Sequence, residues 1–419
     1  MGIRETRLAS GLRVLTDPME TVESASVGVW VDAGTRHEPA AVNGVSHLLE
    51  HMAFKGTRRR SARDIAEEMD AVGGHLNAYT ARDHTAYYAK VLKEDVDLAV
   101  DIVADILQHS TLDPEELARE QTVVVQEISQ AIDTPDDIIF DHFQATAFPD
   151  QPLGRPVLGT ADLVRAMTRE TVAGYMHGHY AAPRMVLAGA GRVDHDHLVE
   201  AAERMFAGLP TVADCATERA AYHGGDYREE RDIEQVNLVL GFDGVAYDDP
   251  DYYAASVLST LLGGGMSSRL FQEVREKRGL VYSIYSFTSS YADGGLFGVY
   301  AGTGEDEAAE LIPVMCDEIV KVAAGVDGGE VHRARAQLKA SILMSLESTS
   351  SRCEQVARQI LVYGRPIPTA EVVGQIESVT GADVARVAAR LFATTPTVAA
   401  IGPLAQVEDY DRIAARLKI

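Results

Sequence analysis

Apolar and polar positions follow two different periods along the first half of the chain. ASVGVWVDAG (25–34) and NAYTARDHTAYYAKVL (77–92) show the two-residue period of strands, and the second breaks at the polar ARDH, which indicates a strand pair. Between them, SARDIAEEMDAVGG (61–74) has the longer period of a helix, with Ser61 as its cap and a glycine pair as its stop. This alternation predicts α+β layers instead of a helical bundle.

The second half of the chain repeats this order. EQVNLVLGFDG (234–244) matches SASVGVWVDAG (24–34), and YSFTSSYADGGLFGVYAGTG (285–304) matches the strand pair that begins at Asn77, both about 210 residues later. A constant displacement indicates a duplicated unit. The sequence therefore predicts two homologous α+β domains, each a mainly antiparallel sheet with helices packed on it, although length alone would allow roughly three domains.

The stretch between the two repeats is polar and charged and contains glycines, as linkers do. We therefore predict an N-terminal domain over 1–210, a linker over 211–232 and a homologous C-terminal domain over 233–419. The segment of the second domain that corresponds to HLLEH (47–51) is LSTLL (258–262), so the duplicate has no metal-binding side chain there.

HLLEH places two histidines four residues apart, with a glutamate beside the second. On a helix, His47 and His51 share a face and Glu50 lies next to them. A catalytic zinc takes three protein ligands and keeps one position open for water, so this turn supplies two ligands and a carboxylate that can take the proton of that water. The alternative is an ordinary amphipathic helix that happens to carry polar residues.

A third ligand has to come from another helix. The helix predicted after the cap Asp113 and the first-turn Pro114 carries four candidates, Glu115, Glu116, Glu120 and Glu127. Glu120 and Glu127 are two turns apart and share a face, and the TVVV between them indicates a buried side, where a carboxylate is costly unless a cation or donors meet it. We choose Glu127 as the third ligand and expect Glu120 to orient a histidine through its second ring nitrogen.

Composition limits the partners and the compartment. The formal net charge of −25 argues against nucleic acid and mildly favours basic partners, although solubility alone would also explain it. No apolar stretch approaches the roughly 18 residues of a membrane span and the start has no export pattern, so we expect no membrane association. Cys215, Cys316 and Cys353 are odd in number and lack CxxC spacing, which favours packing roles and a cytoplasmic, bacterial location.

HLLEH followed by EQTVVVQE resembles the inverzincin motif of the pitrilysin-type metallopeptidases, and the whole chain resembles their processing-peptidase branch, which includes mitochondrial processing peptidase and its bacterial homologues. The similarity takes in NGVSHLLEHMAFKGT, GGHLNAYTARDHTAYYAKVL, PLGRPVLGT and LLGGGMSSRLFQEVREKRGLVYSIYSF. In that family two histidines and a glutamate seventy-odd residues later hold zinc, and Glu127 follows His51 by 76 positions. The family's additional glutamate falls on Glu120, so the resemblance implies one Zn²⁺ per chain in this ligand set.

The resemblance also implies a substrate edge and a second group of residues. It places an extended peptide along NAYT, where Asn77 and the backbone from Ala78 would hold residues beside the scissile bond; a turn residue at the strand start is the alternative for Asn77. In VREKRGLVY, Arg275 and Tyr282 match an arginine and a tyrosine that reach the substrate, and both can donate to a carbonyl that becomes negative. The same stretch also suits an amphipathic helix with solvated arginines.

These expectations describe a zinc metalloendopeptidase that cleaves peptides or unfolded, presequence-like segments bound in extended form. The resemblance implies that the two domains form half of a clamshell, which a homodimer would complete into a chamber with composite active sites. Two alternatives stay open: the catalytic subunit of an obligatory heterodimer, and a non-catalytic scaffold subunit such as the core proteins of respiratory complexes. The retained ligands and the base Glu50 argue against the scaffold.

Overall fold

The computed structural model describes residues 2–213 and 217–418, which form two compact units. Unit 1 consists of the residues up to Ser129, Arg155–Glu218 and Met344–Ile367, and unit 2 consists of Gln130–Gly154, Arg219–Leu343 and the residues from Pro368 onward. Cys215 lies outside the described residues. Cys316 and Cys353 are both buried, as their predicted packing roles require. No helix within the described ranges is long and apolar enough to cross a bilayer.

Strands and helices are numbered along the chain. The strands are β1 Arg4–Arg7, β2 Arg13–Pro18, β3 Ser24–Val31, β4 His75–Thr80, β5 Thr85–Leu92, β6 Met185–Gly191, β7 Gly225–Glu230, β8 Val236–Asp243, β9 Val281–Ser290, β10 Gly295–Thr303 and β11 Thr397–Gly402. The α-helices are α1 Val45–Ala53, α2 Ala62–Ala71, α3 Val96–His109, α4 Pro114–Ile132, α5 Pro135–Ala147, α6 Ala161–Ala166, α7 Arg169–His179, α8 His195–Met205, α9 Tyr252–Gly263, α10 Glu305–Ala324, α11 Gly328–Ser345, α12 Thr349–Tyr363, α13 Thr369–Ser378, α14 Gly381–Phe392 and α15 Tyr410–Arg416.

Unit 1 is built on a six-stranded sheet in the order β1-β2-β6-β3-β5-β4. Neighbouring strands are antiparallel except β2 and β6, which run parallel. Along β3 the side chains alternate between two cores, because Val27 and Val29 pack with the helices on one face while Trp30 faces the other. Strands β1 and β4 form the two edges of this sheet, and β4 lies beside helix α1.

Unit 2 is built on a five-stranded sheet in the order β7-β11-β8-β10-β9. Strands β7 and β11 run parallel, and the other neighbours are antiparallel. The order and the directions are those of β2-β6-β3-β5-β4 in unit 1. The predicted duplication of an α+β unit is therefore confirmed by the topology.

Each sheet has one face covered by a helix that comes from the other half of the sequence. Helix α12 places Val356 and Ile360 against Trp30 on the sheet of unit 1, and α5 places Ile139 and Phe143 in the core of unit 2. A sheet with two apolar faces needs cover on both, and each of these helices supplies an apolar surface for that purpose. The units are therefore discontinuous in sequence, in contrast to the continuous segments 1–210 and 233–419.

The last part of the predicted linker, 211–232, belongs to a sheet. Residues Gly225–Glu230 form β7, which pairs in parallel with β11 from Gly225↔Thr397 to Glu230↔Gly402. Its sequence, GDYREE, lacks apolar alternation, and a strand at a sheet edge can be held by backbone hydrogen bonds while its side chains stay polar. For this reason the pattern of apolar positions predicted no strand here.

The predicted helix starts are confirmed by their capping hydrogen bonds. The Ser61 side chain accepts from the Asp64 amide at the start of α2. At the start of α4, Asp113 Oδ1 accepts from the amides of Glu115 and Glu116 at 2.8 and 3.2 Å. These caps fix the first turns of the two helices.

Candidate metal centre

Helix α1 separates an apolar face from a polar one. Leu48, Leu49 and Met52 are buried in the core of unit 1. The side chains of His47, Glu50 and His51 remain partly accessible to solvent. The helix begins after Gly44, whose φ of 97° lies in the left-handed region that glycine tolerates. The two predicted ligands and the predicted base therefore point away from the core on one helical turn.

The three predicted ligands come together in the structure. Glu127 Oε2, on α4, lies 3.7 Å from His47 Nε2 and 3.6 Å from His51 Nε2. One donor atom from each of the three residues lies within 4.8 Å of the others. Ligands held about 2.1 Å from a tetrahedral ion are roughly 3.4 Å apart, so the spacing is close to that of a zinc ligand set.

Glu120 holds the second nitrogen of one histidine. Its Oε2 lies 2.9 Å from His51 Nδ1, and the Lys55 ammonium lies 2.7 Å from its Oε1. Because an ionised carboxylate accepts, His51 carries its proton on Nδ1 and turns the lone pair of Nε2 towards Glu127. Glu120 thus has the contact predicted for it. Sequence reasoning missed Lys55, which lies just beyond the end of α1 and reaches Glu120 through a tertiary contact.

His47 is held differently. Burial lowers its pKa to about 4, with the neighbouring His51 as a smaller cause, so the ring is neutral near pH 7. Its Nδ1 is buried and has no hydrogen-bond partner among the residues described. Two neutral imidazole nitrogens and one carboxylate oxygen form a donor set that Zn²⁺ accepts, and the residues therefore fit this ion.

Glu50 lies beside the ligands and is fixed by the edge strand. Its Oε2 accepts a hydrogen bond of 2.6 Å from Thr80 Oγ1 at the end of β4. Burial raises the pKa of Glu50, while the bond from Thr80 opposes that shift. A partly buried carboxylate with a raised pKa suits proton transfer. No local pattern distinguishes Thr80 from the other residues of NAYT, since its contact with Glu50 is a tertiary one.

The two predicted substrate-binding residues lie next to each other on β4 but on different faces. Ala78 packs in the core on the α1 side, whereas Tyr79 packs on the opposite face. Alternation along the strand places the side chain of Asn77 on the same face as Tyr79, away from Glu50. Asn77 is exposed, and its Oδ1 accepts from the Ala78 amide at 2.8 Å.

Arg275 and Tyr282 lie together in unit 2. The Arg275 guanidinium lies 5.5 Å from the centre of the Tyr282 ring and 5.0 Å from that of Phe271. Tyr282 stands near the start of the edge strand β9 with 80% of its surface exposed. Arg275 belongs to a π-helical turn, Phe271–Glu276, instead of the amphipathic α-helix considered as the alternative. Such turns are frequent at functional sites.

Comparison with known proteins agrees with these features. The family model described as insulinase (peptidase family M16) matches residues 13–161, and the model of the peptidase M16 inactive domain matches 166–338. An uncharacterized zinc protease of Streptomyces coelicolor is 41% identical over 425 residues, which cover 99% of this chain and 92% of the relative. The probable mitochondrial-processing peptidase subunit beta of Arabidopsis thaliana is 41% identical over 429 residues, or 99% and 81% of the two chains.

The same fold occurs in a solved structure. A chain of complex III2 from Candida albicans, determined with Inz-5 bound, superposes with a TM-score of 0.88 over 100% of both chains at 21% identity. Identity at this level shows a shared fold, while the family models and the two relatives show the family. The chain therefore belongs to peptidase family M16, in the processing-peptidase branch of the pitrilysin-type metallopeptidases.

Proposed function

We propose that the chain is a zinc-dependent endopeptidase that cleaves peptides or unfolded, presequence-like segments held in extended form. The observation that carries this proposal is the convergence of donor atoms from His47, His51 and Glu127 within 4.8 Å of one another, beside the carboxylate of Glu50. The name zinc protease borne by the Streptomyces coelicolor relative supports it. A cytoplasmic location stays a prediction.

His47, His51 and Glu127 would hold one zinc ion per chain. When bound, zinc supplies a Lewis acid that polarises the scissile carbonyl and acidifies a water molecule. Glu120 keeps the proton of His51 on Nδ1, which leaves the opposite nitrogen free to bind. The low pKa of His47, caused mainly by burial, keeps its ring neutral and able to donate a lone pair.

Glu50 would act as the general base and then as the general acid. Its carboxylate takes a proton from the attacking water and passes it to the amine that leaves, so the cleaved peptide bond yields one acid and one amine. Thr80 holds one carboxylate oxygen at 2.6 Å, which fixes the direction of the other. The pKa of Glu50, raised by burial, brings it closer to neutral pH, where proton exchange is efficient.

An extended substrate would pair with the edge of β4. This strand ends at Thr80, which touches Glu50, so a peptide added along it would pass the proposed base. Ala78 would contribute its backbone on this edge. Asn77 would hold substrate residues through its exposed side chain, which lies on the other face and accepts from the Ala78 amide. The net charge of −25 favours basic peptides at low salt.

Arg275 and Tyr282 would stabilise the oxyanion, and we propose that they come from the second copy in a homodimer. Tyr282 is 80% exposed, so its phenol is available to another molecule. Two inactive variants, His47→Ala and Tyr282→Ala, test this arrangement, because a mixed dimer would collect both lesions in one site. Random subunit exchange should then restore about a quarter of wild-type activity. Absence of recovery despite demonstrated exchange would exclude the composite site.

The catalytic subunit of a heterodimer is the second candidate. The Arabidopsis thaliana relative is named as a subunit beta, which favours a partner chain of different sequence. Peptidase activity of the single purified gene product would support the homodimer, and activity that requires a second gene product would support the heterodimer. A protein that binds no zinc under either condition would fit the scaffold alternative.

The test of the proposed function combines metal analysis with one substitution. Wild type should contain about one zinc per chain and cleave unfolded peptides. Glu50→Gln should keep its zinc and lose activity by about 10²- to 10⁴-fold, because an amide cannot accept the proton. Glu115→Gln, an exposed change on the same helix as Glu127, is the control and should leave both properties unchanged. Full activity in zinc-loaded Glu50→Gln would refute the mechanism.

A further inference from the structure

Glu38 is a buried carboxylate for which the mechanism above gives no role. Its side chain is 2% exposed and accepts three hydrogen bonds of 2.8 Å, from the amides of Gly44 and Ser46 and from Asn43 Nδ2. Gly44 is the N-cap of helix α1, and it has no side chain with which to cap the helix. Glu38 therefore supplies, from outside the helix, the acceptor that a capping side chain would give.

The segment PLGRPVLGT, noticed in the sequence for its resemblance alone, encloses the same turn. Asn43 Nδ2 also donates to the Pro156 carbonyl at 3.0 Å, and the Arg155 guanidinium donates to the Glu38 carbonyl. A Cβ atom on Gly159, whose φ is +72°, would lie 2.3 Å from the backbone carbonyl oxygen of Asn43. The contact between this segment and the turn before α1 thus leaves no room for a side chain.

Helix α7 contacts the first turn of α1 from a third direction. The Ser46 hydroxyl donates to the Tyr175 hydroxyl at 2.8 Å, and the Tyr175 hydroxyl donates to the Gly34 carbonyl at 3.2 Å. Tyr175 is 6% exposed. The first turn of α1 is thereby bonded to Glu38 and to α7, while the residues just before it are bonded to Arg155 and Pro156.

His47 directly follows Ser46 and is the ligand that lacks a bond to its second nitrogen. His51 is oriented by Glu120 at 2.9 Å, whereas His47 Nδ1 is buried without a partner in the described part of the chain. The direction of the His47 ring therefore depends on its backbone and on packing, and the backbone is fixed by the bonds to Gly44 and Ser46.

We infer that Glu38 is a positioning residue, which fixes the entry of helix α1 and through it the direction of the proposed zinc ligand His47. This inference rests on the proposed zinc site and deepens it. It assigns to Arg155, Pro156 and Gly159 of PLGRPVLGT the role of a support for the ligand helix. It also predicts that metal binding responds to a change at Glu38, although Glu38 touches no ligand side chain.

The test uses the full chain with the variant Glu38→Gln, whose amide group must turn an N–H towards at least one of the three donors. Zinc affinity is measured by competition with a chelator, and the visible absorption of the Co²⁺-loaded protein reports the geometry of the ligands. We expect zinc affinity about ten-fold weaker than in wild type and an altered Co²⁺ spectrum, as for changes in groups that orient metal ligands. Trp30 fluorescence verifies that unit 1 is folded.

Asp17→Asn is the matched control. The Asp17 carboxylate accepts from the Arg352 guanidinium at 3.0 Å within unit 1, between β2 and α12. Its loss should reduce stability without a change in zinc affinity or in the Co²⁺ spectrum. A general loss of stability in unit 1 would therefore affect both variants, and a positioning role would affect metal binding in Glu38→Gln alone.

If Glu38→Gln does not fold, Tyr175→Phe tests whether the support of the first turn of α1 affects metal binding. It removes the oxygen that accepts from Ser46 and keeps the ring, so we expect a loss of zinc affinity of a few-fold, smaller than that at Glu38, with a changed Co²⁺ spectrum. If Glu38→Gln and Tyr175→Phe, or whichever of them folds, kept the zinc affinity and the Co²⁺ spectrum of wild type, the inference would be overturned. A wild-type protein that binds no metal would instead refute the proposed function itself.

Discussion

Helices α1 and α9 follow corresponding strands, and each lies against the edge strand of its own sheet, but they carry opposite chemistry. In the register of the duplication, His47, Glu50 and His51 correspond to Leu258, Leu261 and Leu262. The three leucines are 0–4% exposed and belong to the core of unit 2. Unit 2 therefore uses for packing the positions at which unit 1 keeps a polar, partly accessible face.

The difference shows that the site of unit 1 occupies positions where the fold would gain from leucine. Burial disfavours the charged forms of His47 and Glu50, since it lowers the pKa of His47 and raises the pKa of Glu50. Both shifts indicate that unit 1 bears a desolvation cost at this helix. Functional sites commonly carry such a cost, and the paired units allow it to be measured within one molecule.

The largest expected effect is a difference in stability between the two helices. Leu262→Ala should lower the free energy of unfolding by about 2–5 kcal/mol, because it leaves a cavity in the core of unit 2. His51→Ala, in zinc-free protein, should cost no more than about 1 kcal/mol, because a partly accessible polar side chain leaves no comparable cavity.

Urea unfolding followed by circular dichroism measures the stability of both units. Trp30 is the single tryptophan, lies in unit 1 and is 2% exposed, so its fluorescence reports unit 1 separately. If His51→Ala destabilised the zinc-free protein as much as Leu262→Ala does, the polar face would be a packing element and the comparison would fail.

Zinc should stabilise unit 1 and leave unit 2 unchanged. At a free concentration one hundred times its Kd, the ion should add about 2.7 kcal/mol to the free energy of unfolding, since it binds the folded state. The Trp30 fluorescence transition should move to higher urea on addition of zinc and return on chelation. Glu127→Gln should lose most of this shift, and an equal shift in that variant would show that the ion binds elsewhere.

Much of the fold and of the candidate site could be predicted from the sequence, because the signals for them lie within short segments. The spacing of His47 and His51, the caps of α2 and α4 and the displacement of about 210 residues are patterns within short segments. Glu127 required a choice among four glutamates, and its distance of 76 residues from His51 gained weight from the resemblance.

The contacts that complete the site could not be predicted in the same way. Thr80 acts through a tertiary hydrogen bond to a helix 30 residues earlier in the chain. Glu38 bonds to amides six and eight residues later, a spacing that follows neither the helix period nor the strand period. Helix α5 packs on the sheet of unit 2 and α12 on the sheet of unit 1, and this assignment depends on which sheet face is left uncovered. Strand β7 is polar and has no apolar pattern that would predict it. Lys55 lies beyond Ala53, the last residue of α1, so its contact with Glu120 had no local signal either.

Lys55 offers a smaller test on the side of unit 1. Its ammonium lies 2.7 Å from Glu120, which in turn holds His51, so Lys55→Met should leave Glu120 less firmly placed. We expect zinc affinity to fall about ten-fold, which corresponds to about 1.4 kcal/mol. Lys55→Arg should retain most of the affinity because it keeps the charge. Lys90→Met, an exposed change on β5, is the control, and equal losses in the two methionine variants would exclude a specific role.

The smallest expected effect concerns the turn between the strands of the duplicated pair. His84 lies just before β5, and the corresponding residue of unit 2 is Gly294, which cannot titrate. Burial lowers the pKa of His84 to about 4, and the charge of Arg358 adds to the effect. The neutral ring contacts the Tyr79 hydroxyl at 3.0 Å, and Trp30 Nε1 donates to the same hydroxyl at 3.3 Å.

A histidine whose pKa is lower in the folded state stabilises the fold above its unfolded value of about 6.5, and this contribution is lost as pH falls from there towards about 4. Between pH 7 and pH 6, wild type should therefore lose at most about 0.7 kcal/mol relative to His84→Gln, which has no such proton to bind. Urea unfolding followed by Trp30 fluorescence at both pH values measures the difference. If the gap between wild type and variant is the same at pH 7 and pH 6, then His84 is not a neutral buried base, and the strand-pair turns of the two units do not differ in their response to acid.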